Sequence, residues 1–399
     1  VVENLRMNEN RSIRVGFVIF QVHLLGLQNY LRNLIAAVNT LPGKPVEPVL
    51  FMGKRQYDVS QEFPNVEVVK ASLLDRKSVA WFCRKALILV TGRDVLLMAL
   101  LKKHGVTVLS HSGHLGKQTA IRTIGWVADL QHMHLPEMFG AAEVARRDQQ
   151  FGDLARGCDT VILSSRCGVN DLKAFEPYAA GKAELLQFVS GPSASTQALP
   201  LSELEKLYKF EGSYYLLPNQ FWAHKNHRVV LEALRLLKER GCNTLVLATG
   251  STKGHPDPKF FPSLMARSSE YGIENMFRVL GVIPFAHLIG LMRHATAIIN
   301  PSHFEGWSTS VEEAKSMGKQ VVLSSIPVHR EQAPDRAYYF SPDAPEALAD
   351  SMMEAIQKFD PEDDLRMQEA ALLRYPLRQH AFAETYVRIV EKAVRSAND

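Results

Sequence analysis

The chain has few cysteines and none placed to pair or to hold a metal: Cys83, Cys158, Cys167 and Cys242 form no CxxC and no ligand spacing. That excludes a disulfide-stapled module and a zinc ribbon, and it makes a reduced, cytoplasmic setting the expectation. No apolar run approaches the ~18 residues of a spanning helix. The first residues show no basic stretch followed by an apolar core, so no signal peptide is expected. Low-complexity tracts and fixed-period repeats are missing. Lys and Arg number 46 against 42 Asp and Glu, a net +4, which is too small an excess for a dedicated nucleic-acid binder. Two phosphate signatures are absent as well: there is no GxGxxG, and no strand-end DxD to anchor a magnesium-bound diphosphate.

What is present is alternation. Strand-like apolar runs alternate with amphipathic stretches throughout, the pattern of a parallel α/β fold. Strands are predicted over residues 14–20, 48–51, 66–69, 106–109, 123–127 and 160–163, with helices over 28–39, 137–155 and 167–175. A second series of strands covers 214–217, 244–248, 277–280, 297–300, 320–323 and 337–340. Its helices fall at 226–240, 262–271, 285–293, 310–317 and 345–358. Between the series, residues 190–200 are rich in Ser, Gly, Ala and Pro, a linker composition. The expectation is therefore two doubly wound, Rossmann-like domains facing a cleft. Residues 1–195 form the first and 196–377 the second. A final helix of about 378–399, beyond a break at Tyr375-Pro376, is free to pack back on the first.

Four segments carry candidate chemistry. Pro301-Ser302-His303-Phe304-Glu305-Gly306-Trp307-Ser308-Thr309-Ser310-Val311-Glu312-Glu313 follows a buried strand and opens a helix. Ligands bind at that end of strands in α/β proteins, and a helix start offers backbone N–H groups to an anion. Glu305 reads as a ligand for sugar hydroxyls or as an exposed loop acid. Glu312 and Glu313 read as ligand groups or as members of capping boxes begun by Thr309 or Ser310. In Phe221-Trp222-Ala223-His224-Lys225-Asn226-His227, Asn226 suits a helix N-cap. Lys225 then stands against the positive end of the macrodipole, which favours a phosphate there over a plain surface lysine. Gly26, between the first strand and its helix, would allow close approach of a phosphate. Asp129 and His132, after the strand at 123–127, are acid/base candidates or parts of a capped loop with a structural histidine. With His134 they lack a third ligand, so no metal site is expected.

These residues resemble the retaining family-4 glycosyltransferases of GT-B fold. The features are Pro-Ser-x-Phe-Glu-Gly, the E-x7-E spacing of Glu305 and Glu313, Gly318 before the next strand, the Lys225 region, and Gly281-Val282-Ile283-Pro284. The likeness is strong over 214–330 and looser before it. It implies that Glu305 touches donor-sugar hydroxyls, Glu313 the ribose, and Val282 and Ile283 the nucleotide base. Lys225 would pair with the diphosphate, assisted by Gln220 and by the backbone of Gly306, Trp307, Ser308 and Thr309. The donor would be a nucleotide sugar acting as co-substrate, with no cofactor and no metal. The acceptor would be a glycan or a lipid-linked glycan. The Asp129–Glu137 run and residues 324–331 are similar to a subgroup making cell-surface polysaccharides.

Three departures from that pattern stand out. Gln220 occupies the place of an arginine, Leu27 that of a second glycine, and Ala128 that of a histidine, which leaves Asp129 or His132 to substitute. They keep open a catalytically degenerate scaffold as the alternative, and a sugar-nucleotide epimerase as a third reading. Residues 78–101 mix Trp81, Phe82, Leu87, Ile88 and Leu96 with Arg84, Lys85 and Arg93. They read as ordinary amphipathic packing or as an interfacial helix in peripheral contact with a membrane.

Overall fold

The computed structural model describes residues 12–19, 25–117, 119–192, 197–253 and 255–395. Packing divides the chain into two units. One runs to Phe188 and regains the chain from Leu377, and the other spans Val189–Pro376. The expected break at 195/196 thus falls inside the second unit.

The first unit is built on seven parallel strands: β1 (Ile13–Ile19), β2 (Val46–Met52), β3 (Glu67–Lys70), β4 (Val108–Ser110), β5 (Arg122–Val127), β6 (Thr160–Leu163) and β7 (Ala183–Leu185). Their order is β3-β2-β1-β4-β5-β6-β7. The second unit holds β8 (Tyr214–Pro218), β9 (Leu245–Thr249), β10 (Phe277–Gly281), β11 (Ala297–Asn300), β12 (Val321–Ser324) and β13 (Ala337–Phe340), in the order β10-β9-β8-β11-β12-β13. Both are doubly wound sheets, and strand order reverses beside β1 in one and beside β8 in the other. The central strands are Val-, Ile- and Leu-rich because helices cover both of their faces. In the second unit, Leu217, Val230, Leu234, Ala248, Ile299 and Val322 fill one side of the sheet, and Leu216, Leu247, Ile298, Val311 and Leu323 the other.

The helices are α1 (Leu25–Asn39), α2 (Val79–Thr91), α3 (Val95–Lys103), α4 (Gln131–His134), α5 (Ala141–Gly157), α6 (Arg166–Phe175), α7 (Leu201–Tyr208), α8 (His227–Glu239), α9 (Phe260–Glu270), α10 (Phe285–His294), α11 (Thr309–Ser316), α12 (Pro327–Gln332), α13 (Pro345–Gln357) and α14 (Pro361–Arg395). The sequence patterns missed β7, α4, α7 and α12. Each is short, and none has the length over which periodicity becomes readable. The predicted break at Tyr375-Pro376 is also corrected, because α14 is continuous with Pro376 inside it. Proline removes one backbone bond and kinks a helix. Thirty-five residues anchored on either side tolerate that, and the division between units falls at this proline. Among the described residues, no helix is long and apolar enough to cross a membrane.

The start of α14 is locked to the second unit by charge. Asp364 accepts from Lys319 Nζ and, at 2.8 Å, from Arg336 Nη1, and the Lys319 side chain is fully buried. Gly318, at φ +65°, lets the chain pass beneath α14, where a Cβ would lie 2.2 Å from the Met367 carbonyl oxygen. Removing one partner of a buried pair leaves an uncompensated charge. Asp364→Ala should therefore lower unfolding free energy by about 3–5 kcal/mol, read as a fall in urea midpoint, whereas Glu362→Ala, exposed in the same turn, should be nearly silent.

Candidate active site in the second unit

The switch point of the second sheet lies between the ends of β8 and β11, where doubly wound folds bind ligands. β11 ends in Asn300, and Asn219 directly follows the end of β8. Asn219 donates from Nδ2 to Asn300 Oδ1 at 3.3 Å, closing the floor of the crevice. Asn300 Nδ2 donates to Ser308 Oγ at 2.8 Å, and its Oδ1 accepts from Ser302 Oγ at 2.7 Å. The chain therefore turns tightly from β11 into the segment that carries Glu305. Gly250, at φ +125°, lets the loop after β9 pass under Asn219, where a Cβ would meet the Asn219 carbonyl oxygen at 2.5 Å.

Glu305 is buried in this turn and bound on both oxygens. Lys225 Nζ donates to Oε1 at 2.7 Å and to Oε2 at 2.8 Å, and Ser302 Oγ adds a bond to Oε1 at 2.7 Å. Burial alone would push its pKa up. The Lys225 charge and hydrogen bond outweigh burial and hold the carboxyl at about 2. Glu305 is thus a permanent anion, and Lys225 is its counter-ion.

Lys225 reaches it from a single 3-10 turn, Ala223–Lys225. The expected N-cap role of Asn226 is corrected: its side chain does not cap α8, and its backbone is left-handed at φ 53°. Nδ2 donates instead to the Pro301 and Pro342 carbonyls, at 3.2 and 2.8 Å. Asn226 thereby pins the lysine turn onto the Glu305 loop, and His303 N–H donates to the His224 carbonyl at 2.8 Å beside it. His224 is driven down to about 4 by burial first and the Lys225 charge second, so it is neutral near pH 7.

The capping boxes also do not form. Ser308 is the N-cap of α11, without a side-chain cap bond, and Thr309 and Ser310 lie inside the helix. Glu312 accepts from Gln332 Nε2 at 3.0 Å and from Lys315 at 3.1 Å. Gln332 also binds the Ser308 N–H and carbonyl, at 3.3 and 3.0 Å. Glu313, released from capping, is buried and meets Ser190 Oγ at 3.3 Å. Burial, with only that hydroxyl against it, pushes Glu313 up to about 7. Trp307 is buried, Gly306 and Thr309 are partly so, and Gln220 is exposed. Val282 is exposed, whereas Ile283 packs on the core.

Sequence reasoning missed His329, Gln332, Asn300 and Ser302 as members of this site. His329 is fully buried, with Nδ1 at 2.9 Å from the Ser324 carbonyl. Only Asn300 left a local signal, a polar residue ending an apolar strand.

The remaining candidates belong to the first unit. Gly26 lies in the first turn of α1, not in a loop before it, and its surroundings with residues 20–24 lie outside the described residues. Asp129 lies in the turn before α4, with Oδ1 accepting the Gln131 N–H at 3.0 Å. His132 is enclosed rather than displayed, between Phe151 and Phe175, with Nε2 3.0 Å from Asp148. That is the position of a packing histidine. Among the described residues, no group of three or more His, Cys, Asp or Glu side chains is arranged for a metal ion.

Residues 207–374 match the family described as glycosyl transferases group 1. The second unit carries a group 1 glycosyltransferase domain. The chain is in class a glycosyltransferase, and its two Rossmann-like units have the GT-B fold. Solved structures with that fold include a glycosyltransferase from Rickettsia africae ESF-5, 15% identical, covering 96% of this chain and 99% of that one at a TM-score of 0.67. Anabaena HepE in complex with UDP-glucose is 15% identical over 97% and 100% of the two chains, TM-score 0.61. WaaG, a glycosyltransferase involved in lipopolysaccharide biosynthesis, is 15% identical over 95% and 98%, TM-score 0.59. No curated protein matches the chain.

A raised carboxyl pKa has a definite sign. Between the unfolded value near 4.3 and about 7, the folded state holds a proton that the unfolded chain has lost, so stability falls as pH rises through that window. Glu313→Gln should accordingly stabilise the protein at pH 8 by about 3 kcal/mol, with the gain fading towards pH 4, in paired thermal melts.

Proposed function

We propose that the protein transfers a hexosyl group from a nucleotide sugar to a glycan or lipid-linked acceptor, with retention of configuration and without a metal, in cell-surface polysaccharide synthesis. The observation that carries this reading is the buried, ionised Glu305 coupled to Lys225 at the switch point of the second unit. A fixed anion there accepts hydrogen bonds from donor-sugar hydroxyls and stabilises positive charge developing at the anomeric carbon. Lys225, shared between Glu305 and the diphosphate, offsets charge on the leaving group, with the N–H groups of Gly306, Trp307 and Thr309 at the start of α11. The Ser308 N–H is already occupied by Gln332. Glu313 holds the ribose, and its carboxyl can donate as well as accept near neutral pH.

In this scheme the acceptor hydroxyl attacks on the face from which the diphosphate leaves. The new C–O bond forms as the old one breaks, and the proton passes to the departing phosphate oxygen. HepE binding UDP-glucose supports a nucleotide-sugar donor, and WaaG's place in lipopolysaccharide biosynthesis supports a surface glycan. A cytoplasmic enzyme is the matching location. The exposed, uncharged Gln220 and the enclosed His132 favour a second reading, a scaffold that binds nucleotide sugar without turnover.

The test is a panel of nucleotide sugars assayed with chelator present. Lys225→Ala should weaken nucleoside-diphosphate binding about tenfold or more, the worth of a charged hydrogen bond. Glu305→Gln should cut turnover on the order of a hundredfold while leaving nucleotide affinity equal or higher, since it releases Lys225. Binding without product would favour the scaffold. No binding at millimolar concentration, or two silent variants, would sink the site.

A further inference from the structure

Helix α2 in the first unit is built with its polarity reversed. Its outward side carries Val79, Phe82, Leu89 and Val90, at 81%, 56%, 88% and 84% exposure, with Leu87 at its edge. The residue buried beneath is a cation, Arg84. Arg84 is thereby withdrawn from the surface of the 78–101 stretch, which is two helices, α2 and α3, rather than one.

This rotation is fixed rather than incidental. Arg84 Nε and Nη2 reach Asp94 Oδ2 at 2.9 and 2.6 Å, and Asp94 also accepts the Leu97 N–H as the N-cap of α3. Ser78 caps the start of α2, and Gly92 closes its end in the left-handed conformation. Turning the apolar side inward would strand a buried charge.

The exposed charges along this helix and at its two ends have one sign. Residues 76–93 contain no acid, and the flanking Asp75 and Asp94 are both buried. Asp75 accepts the Arg55 N–H at 2.9 Å, which brings exposed Lys54 and Arg55 to the helix start beside exposed Arg76 and Lys77. Lys85 lies exposed along the helix, and Arg93 at its end, where Gly116 packs closely enough on Gly92 to bring exposed Lys117 alongside.

We propose that α2 is a membrane-docking element that lies in the interface of a bilayer containing anionic lipid. An apolar side flanked by cations is the pattern of an interfacial helix, and its thirteen residues extend about 20 Å along the surface. A second copy of the chain fits poorly. A two-fold contact sets the same patch against itself, and here it would bring like charges together.

The test uses the full chain with vesicles of phosphatidylcholine alone or with phosphatidylglycerol, at low and high salt. Co-sedimentation should require phosphatidylglycerol and weaken with salt. Phe82→Glu combined with Leu89→Glu should abolish it, and Lys85→Ala should weaken it on the order of fivefold, the worth of one cation near such a surface. Leu372→Glu with Leu373→Glu, exposed leucines of α14, should bind as the parent does, and melts should show all variants folded. The proposal is overturned by no sedimentation with anionic vesicles, by a folded α2 variant that still binds, or by a dimer in sedimentation equilibrium that the α2 variant dissociates. None of these readouts depends on nucleotide-sugar turnover.

Discussion

The second unit is organised around the charge of Glu305. A carboxylate held away from water needs a counter-ion and hydrogen bonds on both oxygens, and each neighbouring departure from ordinary structure supplies part of that need. Asn300 ends its strand with a polar side chain in a fully buried position and turns the chain through Ser302. Asn226 takes a left-handed backbone and ties the lysine turn to Pro301 and Pro342. Gly250 lets a third loop close beneath. Without the acid these would be isolated irregularities; with it they form one shell that holds Lys225 and Glu305 in register.

The two glutamates of the E-x7-E spacing are driven in opposite directions by what surrounds them. Glu305 sits against an ammonium and two hydroxyl or amide donors, and stays an anion down to about pH 2. Glu313 has a serine hydroxyl and apolar burial, and holds its proton to about pH 7. Environments that separate two carboxyl pKa values assign them separate chemical roles. On the proposed reading, one is a fixed charge for the reacting end of the donor. The other is a group that can donate or accept, suited to neutral hydroxyls.

Much of this was legible in the sequence, and the limits are physical. Buried strands such as β1, β8 and β11 announce themselves through continuous apolar runs, and α8 through its period. The short elements β7, α4, α7 and α12 are held by tertiary packing and leave no period to read. Within the site, Lys225, Glu305 and Glu313 were visible from their places beside strand ends and a helix start. Gln332 and His329 were not, because they come from another helix and matter only through contacts closed by folding. Local rules misled at Asn226 and at Ser310–Glu313. Both satisfy the composition of a cap, but their side chains have better partners across the crevice. His132 shows the reverse case: a histidine beside a strand end that packing claims for the core.

Helix α2 brings the two proposals into contact without making either depend on the other. A chain held at a bilayer surface meets a lipid-linked acceptor confined to the same surface, and confinement raises effective concentration without any new contact to the acceptor. A free oligosaccharide would gain nothing from that arrangement. The reversed polarity of α2 therefore bears on acceptor class, a question that the donor-side geometry of Glu305 and Lys225 cannot address: of the two acceptors proposed, membrane docking would weight the lipid-linked one.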